Sequence, residues 1–189
     1  MEALVTSQFP GEKFIAMGHS MGGQIAARLA VRRPDLVSAV ISVDGTLGLP
    51  AGNEAEYQRF CDALDAGDPG VVIPALFKPL YGVDSDPAIM RWHARRAQGI
   101  PAAVLRQSIR SLFLGPDQVS TGLPSEVFCR NLTVPFYGLY RTAAQVDTMR
   151  SWFSHPKSKV ELWAGAGHWI MLDSPAQLNA SVSEWIESL

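Results

Sequence analysis

Apolar residues in this 189-residue chain follow two patterns, short continuous runs and stripes at helical spacing. Residues 13–18 form a run that predicts a buried strand, and residues 21–33 carry the small-residue pattern of a packed helix. Pro34-Asp35 stops that helix, and Leu36 to Val43 predicts a second buried strand. Strand, helix and strand of these lengths make a βαβ unit, so the two strands should run parallel. Beyond Gly45 the pattern turns helical, with helices predicted over 53–66, 69–80, 86–98 and 101–114, parted by Gly- and Pro-containing breaks. Strands resume at Val134–Tyr140 and Lys159–Trp163. A last helix begins at Ser174-Pro175 and repeats Leu178, Val182, Trp185, Ile186 and Leu189 on one face. The expected architecture is α/β, a mostly parallel sheet flanked by helices. It divides into core residues 1–45, a helical insertion at 46–130 and a core C-terminal part at 131–189. No internal repeat or low-complexity segment interrupts it.

Composition narrows the functional classes. The chain is 47% hydrophobic and 18% charged with net charge −2, ordinary values for a folded domain and no footprint for nucleic acid. The arginine pairs 32–33 and 95–96 read as solvated helix surface. Two cysteines, Cys61 and Cys129, make neither a disulfide framework nor a metal pattern and suit a reducing cytoplasm. No stretch approaches roughly 18 uninterrupted apolar residues, so no membrane span is expected.

The chemistry concentrates at Gly18-His19-Ser20-Met21-Gly22. This G-x-S-x-G run has an apolar strand before it and a helix after it, the setting that holds a nucleophilic serine on a sharp turn. Such a turn strains the serine backbone, and Gly18 and Gly22 are expected to make room for it. The following helix points free N–H groups and its positive end toward Ser20, favouring developing negative charge. The plainer reading is a βα turn with a serine cap. A nucleophilic serine needs a base, and His168 is the outstanding histidine. It lies in Ala164-Gly165-Ala166-Gly167-His168-Trp169, just past a predicted strand, at the sheet edge where open α/β folds keep their sites. The side chain of His19 should point away from its neighbour Ser20, His93 lies on an insert helix, and His155 precedes a proline in a turn.

Together, the Gly18–Gly23 run, the Gly-Ala-Gly-His-Trp run ending at Trp169 and the helical insert between them resemble the α/β-hydrolase fold family. The resemblance implies Ser20 as nucleophile, His168 as general base and the Met21 backbone N–H as an oxyanion donor. The insert would be a cap over the active site. The acid is less determined. In the family it commonly follows the strand after the cap, but here that position, near Arg141, is not acidic, and Asp147 lies a little further on. The family's other location is the end of the strand after the nucleophile helix, where Asp44 stands. Asp44 is preferred, with Asp147 as the alternative. The competing reading of Asp44 is a turn or capping aspartate, and Asp173 is expected in the cap of the final helix.

One departure from the family stands out. Residues 1–12 contain no early strand and no His-Gly loop for a second oxyanion N–H. The chain is therefore expected to be the C-terminal part of such a fold. Its nucleophile strand would lie at an open sheet edge, where a second copy could pair to form a homodimer. Loss of one oxyanion donor typically costs about 10²–10³ in turnover. Insert residues Phe60, Leu64, Phe77, Leu80, Tyr81, Trp92 and Phe113, with Trp169 and Met171, suggest an apolar pocket. His19, Trp92 and Trp169 are the candidate substrate contacts. The substrate expected is a small, uncharged, partly hydrophobic carboxylic ester or lactone. No cofactor and no metal are implied. Two alternatives stand beside this: a cofactor-free oxygenase or carbon–carbon bond hydrolase on the same residues, and a weakly active or non-catalytic fragment.

Overall fold

A computed structural model of the chain describes residues 2–189. Helix α1 (Glu2–Gln8) leads into strand β1 (Phe14–His19), helix α2 (Met21–Arg32) and strand β2 (Val37–Val43). Five helices follow before the sheet resumes: α3 (Glu54–Ala66), α4 (Pro69–Phe77), α5 (Pro87–Gln98), α6 (Ala102–Phe113) and α7 (Gly122–Arg130). Strand β3 (Phe136–Tyr140), helix α8 (Ala143–Met149), strand β4 (Lys159–Leu162), the short α9 (Ile170–Asp173) and α10 (Pro175–Glu187) complete the chain.

The four strands form one sheet in the order β1-β2-β3-β4, every pairing parallel. Helix-linked strands buried on both faces need apolar residues at nearly every position, which explains the near-continuous runs in β2, broken by Ser38 and Ser42, and in β3. Alternate residues feed two cores. Val40, Phe136 and Tyr140 face one side with Ala27, Leu29 and Met149, while Ile41, Tyr137 and Leu139 face the other with Leu178 and Trp185. All five residues of β3 are buried.

The insertion between β2 and β3 has a small core of its own, centred on Leu64, Ile73 and Ala97. Pro69 and Pro87 sit in the first turns of α4 and α5. Asp68 and Asp86 cap these helices, accepting from Gly70 N–H at 2.8 Å and Ala88 N–H at 2.7 Å.

Several elements differ from the sequence reading. Helix α4 ends at Phe77, and Lys78–Leu80 continues as a 3₁₀ turn. Helices α7, α8 and α9 had no prediction, being only nine, seven and four residues long. Ser174 precedes α10 but makes no side-chain cap bond. Asp173 closes α9 and accepts from Ser85 Oγ at 2.8 Å, tying the insertion to the core instead of capping α10. Both cysteines are buried and unpaired. Among the described residues, no helix is long and apolar enough to cross a membrane.

Candidate active site

The turn from β1 into α2 shows how the local sequence exposes a hydroxyl. Ser20 has φ 54° and ψ −123°, and it gives α2 no side-chain cap bond, so the capping reading does not hold. Its backbone is fixed from both directions, with Ser20 N–H donating to Val43 O at 3.0 Å and Thr46 N–H donating to Ser20 O at 3.1 Å. Gly18 is the steric requirement of this turn, because a Cβ there would lie 2.1 Å from the Gly22 carbonyl oxygen. The expectation that Gly22 is equally constrained is corrected, since a Cβ on Gly22 meets nothing within 4 Å. The second crowded position is Gly23, packed against Ser42 and Gly45.

Asp44 closes the neighbouring strand and is nearly buried, its side chain 6% exposed. Among the described residues, Ser20 and Asp44 are the two non-glycine residues with positive φ, 54° and 41°. Strain of this kind costs on the order of 1–3 kcal/mol per residue and collects where geometry serves function. Asp44 Oδ2 accepts from His168 Nδ1 at 2.5 Å and from Arg141 Nε at 2.9 Å. The Arg141 backbone N–H donates to Oδ1 at 3.4 Å. Asp147 lies on α8, its side chain 71% exposed and 3.7 Å from Arg150, so the alternative acid is not brought to His168.

His168 rides the loop after β4, and the insertion braces that loop. The His168 N–H donates to Leu80 O at 2.7 Å. Gly167 lets the insertion come close, for a Cβ there would lie 2.4 Å from Gly82 N. On the other side, His19 Nε2 donates to His168 O at 2.8 Å. Burial, reinforced by His168 nearby, lowers the His19 pKa to about 4, so the ring is neutral at ordinary pH. His19 thus points away from the Ser20 hydroxyl and holds the backbone of the histidine loop.

Ser20, Asp44, Arg141 and His168 line one cavity of about 460 Å³, walled by Tyr57, Phe60, Phe77, Leu80 and Phe113. Among the described residues no hydrogen bond joins the Ser20 hydroxyl to His168. Such contacts are often long in ligand-free sites and tighten only with substrate bound. Met21 opens α2, where the first N–H groups have no partner within the helix.

The three candidate substrate contacts gather elsewhere. His19, Trp92 and Trp169 line an adjoining cavity of about 310 Å³ with His93 and Arg96. Phe77 lines both cavities and stands between them. Trp169 stacks on Tyr81 at 4.5 Å and meets the tilted His93 ring at 4.4 Å, and Trp92 is half-exposed under the Arg96 guanidinium. Leu64 is buried within the insertion and Met171 lines the second cavity. Sequence reasoning assigned no role to Arg141; its partner lies 97 residues away, and its position at the end of a strand was the available signal. Among the described residues, no group of three His, Cys, Asp or Glu side chains could hold a metal ion.

Comparison with known proteins agrees with this architecture. Residues 2–181 match the model of the alpha/beta hydrolase family. A bromoperoxidase from Bacillus anthracis superposes with TM-score 0.76 at 14% identity, over 98% of this chain and 71% of its own. A protein described as an N-acyl homoserine lactone degrading enzyme gives 0.70 at 15% identity, over 97% and 71%. A carboxylesterase from Bacillus subtilis gives 0.70 at 16% identity, over 96% and 62%. No curated protein matches the sequence. The parallel sheet, the helical insertion and a match over nearly the whole chain lead to one assignment: the protein belongs to the alpha/beta hydrolase family.

Proposed function

We propose that the protein is a serine-dependent hydrolase that cleaves a small, partly hydrophobic carboxylic ester or lactone through an acyl-enzyme. The observation that carries this reading is the shared cavity of Ser20 and the His168–Asp44 pair, with the Asp44 carboxylate on His168 Nδ1. That contact holds the imidazole with Nε2 free to accept the Ser20 proton, and it stabilises the imidazolium that results.

Ser20 Oγ attacks the ester carbonyl carbon while His168 Nε2 takes the hydroxyl proton. The carbonyl oxygen becomes an oxyanion at the start of α2, where the Met21 N–H and the helix dipole favour negative charge. Collapse of this intermediate breaks the bond to the leaving alcohol, which takes the proton from His168. Water, deprotonated by the same nitrogen, then releases the carboxylic acid and restores Ser20. The insertion acts as a cap, its aromatic side chains forming the apolar wall. Similar folds described as a lactone-degrading enzyme and a carboxylesterase support this substrate class.

A fluorophosphonate probe tests the reading. Wild-type protein is expected to be labelled, Ser20→Ala to be unlabelled, and 4-nitrophenyl esters of short acids to be hydrolysed in parallel. Absence of labelling and of ester turnover in folded wild-type protein overturns it.

A further inference from the structure

The apolar cavity around Ser20 contains one positive side chain, Arg141. Its Nε is spent on Asp44, but a guanidinium has five N–H donors, and four remain on the terminal nitrogens. Among the described residues, neither terminal nitrogen has a hydrogen-bond partner. The Arg141 side chain is 28% exposed while the Asp44 side chain is 6% exposed, so the pair is open on the arginine side. The Nε–Asp44 contact also restrains the plane of the guanidinium, leaving a fork that suits a planar, two-oxygen partner.

A substrate closing the mouth of this cavity would strip water from the terminal nitrogens. Leaving charged donors unpaired in an apolar enclosure is costly, and a negative group on the ligand removes that cost. The local charges limit what that group can be. Asp44 already offsets the arginine, so the pair is formally neutral; the free N–H fork then suits a planar, singly charged carboxylate, while a doubly charged phosphate adds charge that the Asp44 carboxylate opposes.

From this geometry we propose that the Ser20 cavity selects esters whose acyl part ends in a carboxylate, gripped by the free face of the Arg141 guanidinium. The inference rests on the hydrolase reading of the cavity and deepens it. It replaces the expectation of an uncharged substrate with a molecule that is apolar along its length and singly anionic at one end.

Two measurements test it, one of turnover and one of binding. The first compares mono-4-nitrophenyl glutarate with 4-nitrophenyl pentanoate, which match in chain length and differ by a terminal carboxylate against a methyl. Wild type is expected to prefer the glutarate at least tenfold in kcat/KM, chiefly through a lower KM, the scale of one charge-assisted hydrogen bond (about tenfold or more). Arg141→Gln and Arg141→Met are expected to cut the glutarate-to-pentanoate ratio at least tenfold, and Arg141→Lys to retain part of it. If wild type prefers the pentanoate, or the variants lower both substrates equally, Arg141 merely braces Asp44 and the proposal falls.

The second measurement titrates 4-phenylbutyrate and 4-phenylbutyramide into wild type by calorimetry. It decides the matter even if neither ester is hydrolysed, a result that would count against the hydrolase reading alone. The carboxylate is expected to bind at least tenfold more tightly than the amide, with the difference lost in Arg141→Gln. Equal binding, absence of binding, or a preference kept by Arg141→Gln overturns the proposal, as does tighter binding of phenyl phosphate than of benzoate.

Discussion

Replacing Asp44 by asparagine separates the role of the carboxylate from that of its shape. Asparagine keeps the volume and tolerates the positive φ of 41° about as well as aspartate. What changes is Oδ2, which accepts from both His168 Nδ1 and Arg141 Nε. An amide nitrogen turned toward His168 would face a donor and force the opposite tautomer, putting the proton on the nitrogen proposed to receive it from Ser20. An amide oxygen there would keep the tautomer but lose the charge that stabilises the imidazolium. In Ser-His-Asp triads this exchange costs about 10⁴ in turnover. Here Arg141 shares the same oxygen and already offsets part of its field, so a loss of about 10³ is expected, or roughly 4 kcal/mol of barrier. Stability should change little, because the partner left unpaired is partly solvated; roughly 1 kcal/mol would move Tm by about 2–4 °C in a chain of this size. The assay is 4-nitrophenyl ester turnover and the rate of fluorophosphonate labelling, run beside Asp147→Asn. If Asp44→Asn stays within tenfold of wild type while Asp147→Asn collapses, the assignment of the acid is refuted.

Three further substitutions follow from the same geometry. Gly18→Ala places a Cβ 2.1 Å from the Gly22 carbonyl, backbone against backbone; it should lower stability by about 1–3 kcal/mol and turnover by about tenfold or more, read by thermal melts and ester kinetics. His19, with its pKa lowered to about 4, binds no proton in the folded state until well below the range near 6.5 where the unfolded chain takes one up. Folding stability therefore declines as pH falls from about 6.5 to 4, by up to about 3 kcal/mol. His19→Gln, which keeps a donor for His168 O but cannot titrate, should flatten the decline in urea midpoints measured across that range. Phe77→Ala should join the cavities of about 460 and 310 Å³ and shift ester preference toward longer acyl chains; an unchanged chain-length profile would show that Phe77 does not divide them.

The strands β2 and β3 were legible because burial on both faces favours apolar residues at nearly every position, and both are near-continuous apolar runs. The sharp turn at Ser20 was legible through Gly18, where no other residue fits, while Gly22, equally prominent in the motif, has open space beside it. Asp44 could be placed next to Ser20 because parallel neighbours end at one edge, and β2 is the neighbour of β1. Helix α8 was not legible: seven residues carry too short a pattern to stand out from a loop. The contacts Arg141–Asp44, Asp173–Ser85 and His19–His168 join residues 97, 88 and 149 positions apart. Local periodicity carries no information on such pairs. The separation of His19, Trp92 and Trp169 from the Ser20 cavity likewise depends on where Phe77 falls in three dimensions.

If the insertion is the proposed cap, its union with the histidine loop, through Leu80 O on His168 N–H and the close approach of Gly82 to Gly167, would couple access to reactivity. A rearrangement that swung the helices aside to admit or discharge a molecule would tug on the very segment that orients the imidazole. The gate and the proton acceptor would then behave as one mechanical unit, armed when shut and disengaged when ajar.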